Sequence, residues 1–228
     1  NVKVTVKAKL IAANDAGLTN NTTITANVQK NTSDAINTTG RASGTEVDSN
    51  ANTATGNGMD LYQTRPYVTL ASTGQPSTTL HASTNQLMGV FDVRVAAGED
   101  VTFEQADTNL VVFNISTTQT DTESGSLTYT LKDENGNTLA TSTFVDGSTS
   151  LTFYFDGTSH TIAAGATGKW YLYGDLSHLE NDGDTIRAWL DDATATNIDW
   201  GINGSGSYND ADKIFRGDIY GPTLVNPS

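Results

Sequence analysis

The residues best suited to chemistry in this chain are carboxylates. Asp175, Glu180, Asp182, Asp184, Asp191, Asp192, Asp199, Asp210, Asp212 and Asp218 crowd the C-terminal third. Calcium takes six to eight oxygen ligands, commonly from Asp side chains and turn carbonyls. Asn181-Asp182-Gly183-Asp184 and Asn209-Asp210-Ala211-Asp212 offer that chemistry, so Asp182, Asp184, Asp210 and Asp212 are the candidate calcium ligands. Neither segment completes the Asp-x-Asp-x-Asp-Gly loop with its distant Glu. The commoner role of such acids is a solvated turn that keeps a protein soluble.

Catalytic constellations are missing. His81, His160 and His178 are scattered, and nothing in the sequence places a partner beside any of them. There is no Gly-x-Ser-x-Gly elbow, no His-Glu-x-x-His and no Walker loop. A glycosidase needs two carboxylates across a cleft, but among 26 acids some pair always fits, so that pattern discriminates nothing. The chain has no Cys, which removes disulfides, zinc–thiolate sites and thiol nucleophiles together. We therefore expect no catalytic residue, no enzyme, and no required cofactor beyond the candidate calcium.

Two further residue sets point outward. Trp170 shares parity with Leu172 and reads as core, Trp189 shares parity with Arg187 and reads as interface or core before sugar platform, and Trp200 precedes Gly201. Glycosylation sequons stand at Asn20, Asn21, Asn31, Asn37, Asn114 and Asn203. The first four lie in one polar stretch and are the glycosylation candidates, although so Asn-, Ser- and Thr-rich a chain makes that many sequons by chance.

The elements that must position these residues are strands, because period 2 is everywhere and period 3.6 almost nowhere. Phe91, Val93 and Val95 alternate with Asp92 and Arg94, and Leu127, Tyr129 and Leu131 with Thr128 and Thr130. Leu151 and Phe153, Trp170 and Leu172, and Ile186, Ala188 and Leu190 follow the same rule. Abundant Thr suits a pleated surface. Asn135-Gly136 between two such runs predicts a hairpin with a type I′ turn. Asp146-Gly147, Asp156-Gly157 and Asp182-Gly183 predict further turns, and short strands at this spacing predict a sandwich.

Two stretches break the alternation. Gly17 to Gly58 is polar and reads as a long loop with one hairpin around Ile24–Val28; Gly201 to Asp212 reads as a shorter version. They sit at equivalent places in a weak internal repeat, in which Val2–Gly17 aligns with Ile186–Gly201 and Met59–Thr69 with Phe215–Val225. On that repeat the chain begins in mid-domain, as a processed product or an excised piece.

Arg65-Pro66-Tyr67-Val68-Thr69-Leu70, Leu87-Met88-Gly89-Val90-Phe91-Asp92-Val93 and Gly98-Glu99-Asp100-Val101-Thr102-Phe103 carry a resemblance. So do Ile162-Ala163-Ala164-Gly165, Trp170-Tyr171-Leu172-Tyr173-Gly174-Asp175-Leu176 and Asp182-Gly183-Asp184-Thr185-Ile186. Together they resemble the tandem immunoglobulin-like modules of large bacterial surface and S-layer-type proteins. The resemblance covers about residues 64–225, rests on strands and turns rather than chemistry, and carries over no catalytic residue. It implies an all-β, immunoglobulin-like antiparallel β-sandwich at 64–225. The first 63 residues would then be an additional N-terminal β segment with its polar insert (18–58), belonging to or completing a neighbouring sandwich.

Composition narrows the partners. Twelve basic against 26 acidic residues give a net charge of −14. The cationic surplus that binds nucleic acid or an anionic membrane surface is lacking. No apolar run approaches the roughly 18 residues of a membrane-spanning helix. Low Lys with abundant Thr, Asn and Gly suits an extracellular or cell-surface location.

The N-terminal residues 1–10 are the candidate donor strand: Val2, Val4, Val6, Ala8 and Leu10 alternate with Lys3, Thr5, Lys7 and Lys9. With these three lysines set aside, the rest of the chain carries −17 against −14 for the whole, so the strand is attracted to the body of another copy. The expected function is a structural subunit that forms a filament or surface layer by donating this strand head-to-tail to the next copy. The alternative is an adhesin or carbohydrate-binding module excised from a longer surface protein.

Overall fold

The structure, a computed structural model, describes residues 22–28, 37–39, 46–48, 54–104, 108–119, 126–145, 148–155, 159–209, 214–215 and 217–227. Its contacts divide the chain into Asn1–Gln63 and Thr64–Ser228.

The first unit holds β1 (Thr22–Ile24), β2 (Asn27–Val28), β3 (Asn37–Thr39), β4 (Glu46–Asp48), β5 (Ala54–Thr55) and β6 (Met59–Leu61). They pair as nested antiparallel couples: β1 with β6, β2 with β5, β3 with β4. Among the described residues the polar stretch therefore holds three nested strand pairs, where the sequence predicts a loop with a hairpin at Ile24–Val28. Ile24 and Val28 lie on β1 and β2, opposite Met59 and Ala54. Apolar periodicity is silent in strands of two or three residues that mix Thr and Asn with single apolar side chains.

The second unit contains β7 (Pro66–Leu70), β8 (Gln86–Val95), β9 (Val101–Phe103), β10 (Leu110–Thr118), β11 (Ser126–Lys132), β12 (Thr138–Val145), β13 (Ser150–Tyr154), β14 (His160–Ile162), β15 (Thr167–Gly174), β16 (Thr185–Leu190), β17 (Asp199–Ile202), β18 (Ser205–Asn209), β19 (Ile219–Tyr220) and β20 (Leu224–Val225). One sheet runs β12-β11-β15-β8-β7; a second runs β13-β10-β16-β19, with β20 also on β16; a third runs β14-β9-β17-β18. An antiparallel bridge between Val111 and Ile198 links β10 to the segment that opens β17. All pairings between these strands are antiparallel, and the chain is all-β with a sandwich-like arrangement.

The sheets face each other through the apolar parity set by the sequence. β15 reads buried at Gly168, Trp170, Leu172 and Gly174, and β16 at Ile186, Ala188 and Leu190. Phe91 of the first sheet meets Phe113 of the second at 5.0 Å between ring centres. Phe103 of the third sheet lies 4.8 Å from Phe155 and 5.2 Å from Trp170. Fully burying one such ring contributes about 1.5–3 kcal/mol, so these packed aromatics weigh heavily in the core.

Two turns differ from expectation. β11 and β12 do form the predicted hairpin, but the turn is not type I′, because only Gly136 takes a positive φ, 83°. The Asp133 carboxylate dictates this. Its Oδ1 accepts from the main-chain N–H groups of Asn135 (2.9 Å) and Asn137 (2.8 Å), holding a wider loop with a glycine bulge. The two-residue turn with both central φ positive occurs instead at Asn203 (51°) and Gly204 (76°), between β17 and β18. That hairpin fills the stretch 201–209, which the sequence reads as loop. The segments aligned in the internal repeat also differ in setting. Met59–Leu61 pairs with β1 in the first unit, whereas β19 and β20 both close onto β16.

Candidate functional site

The calcium candidates do not converge among the described residues. Asp184 is buried, and its Oδ2 accepts from Asn181 N–H at 3.0 Å. Asp182 is exposed on the same turn. Asp210 and Asp212 lie outside the described residues, as do Asn20, Asn21 and Asn31. Asn37 lies on β3 opposite Asp48. The donor-strand residues Val2, Val4, Val6, Ala8 and Leu10 lie outside the described residues.

The acids that do converge are Asp191, Asp192 and Asp218, with one carboxylate oxygen of each within 4.8 Å of the others. Local donors hold them. Asp191 accepts from Ala193 N–H (3.0 Å) and Thr194 Oγ1 (3.2 Å), Asp192 from Gly217 N–H (2.6 Å), and Asp218 from Tyr220 Oη (2.7 Å) and Asp192 N–H (3.4 Å). The trio supplies three carboxylates where calcium wants six to eight oxygens. Sequence spacing hides it, because Asp218 arrives only when β19 folds back onto β16.

Asp218 also lines a groove of about 650 Å³ along one side of the sandwich, beside Val68, Leu70, Phe215, Ile219 and Tyr220. The groove lies where β7, at the end of one sheet, approaches β19, at the end of the other. Ile219–Tyr220 is too short to cover β7. Leu70 therefore keeps 39% exposure although it stands opposite core residue Phe91.

Among the described residues the outer edge of β7 is unpaired. Ala96 N–H donates to Arg65 O (3.1 Å) and Ala71 N–H to Val90 O (3.0 Å), which fixes the hydrogen-bonded register with β8. Arg65, Tyr67 and Thr69 thus exchange bonds with β8, whereas Pro66, Val68 and Leu70 turn their main-chain groups the other way. No strand among the described residues pairs with that side. Pro66 contributes only a carbonyl there, which is the position where an edge strand tolerates proline.

On the outer face, Tyr220 packs tilted against Trp189, 5.8 Å between ring centres, and carries the Arg187 guanidinium 4.0 Å above its ring. Arg187 Nε donates to Gly221 O at 3.2 Å. The hydrogen bond to Asp218 is the main cause that pushes the Tyr220 phenol above its ordinary pKa. Trp189 is half-buried, while Trp170 and Trp200 are fully buried. Among the described residues no helix is long and apolar enough to cross a membrane. No protein-family model, no curated protein and no solved structure matches this chain.

Proposed function

We propose that this chain is an extracellular structural subunit, built around an immunoglobulin-like sandwich, that assembles with copies of itself by β-strand addition. The observation that carries the reading is the edge of β7, where no strand among the described residues takes the outward main-chain groups of Val68 and Leu70, and the Leu70 side chain stays uncovered. Natural sheets usually shorten, charge or cover such an edge, because an open one is a template for another strand. The acidic charge of −14 disfavours close self-approach, so association calls for a locally complementary segment. The reading needs no catalytic residue and no cofactor. Sedimentation and negative-stain microscopy over rising concentration test it. Growing filaments or sheets are expected, and a monomer that persists at every concentration overturns it.

A second reading, an adhesin or carbohydrate-binding module, is favoured by one observation. Tyr220, braced by Trp189 and Arg187, is 42% exposed beside Asp218, and aromatic faces with a nearby carboxylate suit sugar rings. Glycan-array binding that is lost in Tyr220→Ala, together with a stable monomer, would select it.

A further inference from the structure

We propose that the groove between β7 and β19 is the acceptor for residues 1–10 of a second copy, with Asp191, Asp192 and Asp218 receiving its lysines. The inference rests on the self-assembly reading and gives that reading a site.

Three features of the groove select this occupant. The first is main-chain chemistry. Val68 and Leu70 present N–H and C=O groups at two-residue spacing, and Pro66 adds a carbonyl. An extended peptide satisfies such a row, and an oligosaccharide does not. The second is the apolar parity. Leu70 and Val68 face the sandwich interior, with Phe215 and Ile219 across the groove. In residues 1–10 every second side chain is apolar, from Val2 to Leu10, so one face of the strand can continue the core. The third is charge. Asp218 lines the groove, as does Arg65, and Asp191 and Asp192 stand beside Asp218; the trio has no ion-pair partner among the described residues, where the one salt bridge joins Lys169 and Asp92. Lys213 and Arg216 lie outside the described residues. The donor's other face carries Lys3, Lys7 and Lys9 in a chain otherwise strongly acidic. Ten extended residues span about 33 Å and the five of β7 about 17 Å, so the donor outruns β7.

Register makes the proposal specific. In an antiparallel pair, opposed residues share a face and a hydrogen-bonding class. The apolar-face residues Val4 and Val6 would then exchange bonds with β7, whose own interior-facing residues carry the free groups. In a parallel pair those bonds pass to Thr5 and Lys7 instead.

The test titrates a labelled peptide of residues 1–10 into the dilute full-length chain and follows anisotropy. Saturable binding is expected, and a scrambled peptide of the same composition should not bind. Leu70→Pro removes an N–H that points away from β8, so the fold should persist while binding weakens by about tenfold. Asp192→Asn with Asp218→Asn should weaken binding a few-fold and flatten its dependence on salt between about 0.05 and 0.5 M. If Leu70→Pro fails to fold, N-methylated peptides replace it. Methylation at Val4 and Val6, or at Thr5 and Lys7, should abolish binding while the other set is tolerated; equal effects from both sets overturn the proposal. Assembly that is unchanged in Leu70→Pro, with no peptide binding, overturns the groove and leaves self-assembly standing through another surface. Strand-patterned peptide binding in a chain that never assembles upholds the acceptor groove and removes the assembly reading. Displacement of the peptide by neutral oligosaccharides assigns the groove to sugars and overturns the proposal.

Discussion

Asn109 Nδ2 donates to Asp199 Oδ1 at 3.3 Å, across 90 positions of sequence. The amide is fully buried, and its remaining groups are also used. Its Oδ1 accepts from Glu104 N–H (3.1 Å), and Nδ2 also reaches Gly206 O (3.4 Å). Its main-chain carbonyl accepts from Phe155 N–H at 3.1 Å. Asp199 is held from the other side by Ser207 Oγ at 2.6 Å. One side chain thereby ties the entry to β10 to the β17–β18 hairpin.

Replacing Asn109 by Ala takes the side-chain acceptor from the part-buried Glu104 N–H and one donor from the buried Asp199 carboxylate. A loss of about 2–3 kcal/mol is expected, since each stranded buried polar group costs about 1–3 kcal/mol. The urea midpoint measures it. Asn109→Asp should do no better, because it sets a second carboxylate against Asp199. Wild-type midpoints in both variants would show that this link does not hold the hairpin.

The calcium candidates give a second test. Asp184 is buried at 2% exposure and its carboxylate caps the Asn181 N–H. Its main chain is bound as well, with Asn226 N–H donating to Asp184 O (2.8 Å) and Gly183 N–H to Asn226 O (3.0 Å). The acid thus serves the turn and the β20 end of the chain. Asp184→Ala should cost about 1–2 kcal/mol in chelator and in calcium alike. A melting temperature that rises with calcium in the wild type, and not in Asp184→Ala, would instead make this turn an ion site.

The pH dependence has a worked sign. Burial raises the pKa of Asp133, but hydrogen bonds from the Asn137 side chain and from the Asn137 and Asn135 main chain lower it more, so the net shift is downward. A depressed carboxyl stabilises the native state fully above its unfolded value, about 3.9, and loses that contribution as pH falls through the native value. His160 is also shifted down, by burial, against the pull of Glu134 and Asp133. Its Nε2 is buried without a partner. Folding then favours the neutral ring, and stability rises with pH from its native value up to about 6.5. Denaturant midpoints should climb across both windows. Asp133→Ala should lower stability more at neutral pH than at pH ~2, and His160→Phe should flatten the upper window.

The alternating strands were legible because burial on one face of a sheet imposes period 2. Phe91, Val93 and Val95 are buried, while Arg94 is exposed. Trp170, which shares parity with Leu172, is buried by the same logic, whereas the full burial of Trp200 carries no such signal in the sequence. What escaped lies in side-chain hydrogen bonds, polar turns and strand lengths, none of which apolar period 2 registers. Asp133 overrides the Asn135-Gly136 turn through its own side chain, and Asn203-Gly204 lay unread inside a polar stretch. The groove is a shortage rather than a motif: β19 spans two residues and β7 five, and no pattern in either strand announces the mismatch.

Gly174 and Tyr129 are cross-strand partners, and the ring lies where a side chain on Gly174 would go. A β-carbon there would stand 2.5 Å from Tyr129 Cε1 and 2.8 Å from Met88 Sδ. The Met thioether can swing aside, but the ring is fully buried and cannot. Gly174→Ala should therefore cost about 1–3 kcal/mol, the usual range for overpacking. The Tyr129 hydroxyl behaves oppositely. It is buried with no hydrogen-bond partner, and burial, aided by the charge of Asp175, pushes its pKa well above the ordinary phenol value. Tyr129→Phe removes an unsatisfied group and should hold or raise stability by about 1 kcal/mol. The two changes should add without compensation, because the clash is with Cε1 and Cδ1, ring carbons that Phe keeps. Thermal melts of the two single variants and the double variant check this. A double variant restored to the stability of Tyr129→Phe would mean that the hydroxyl, not the ring, fills the space beside Gly174.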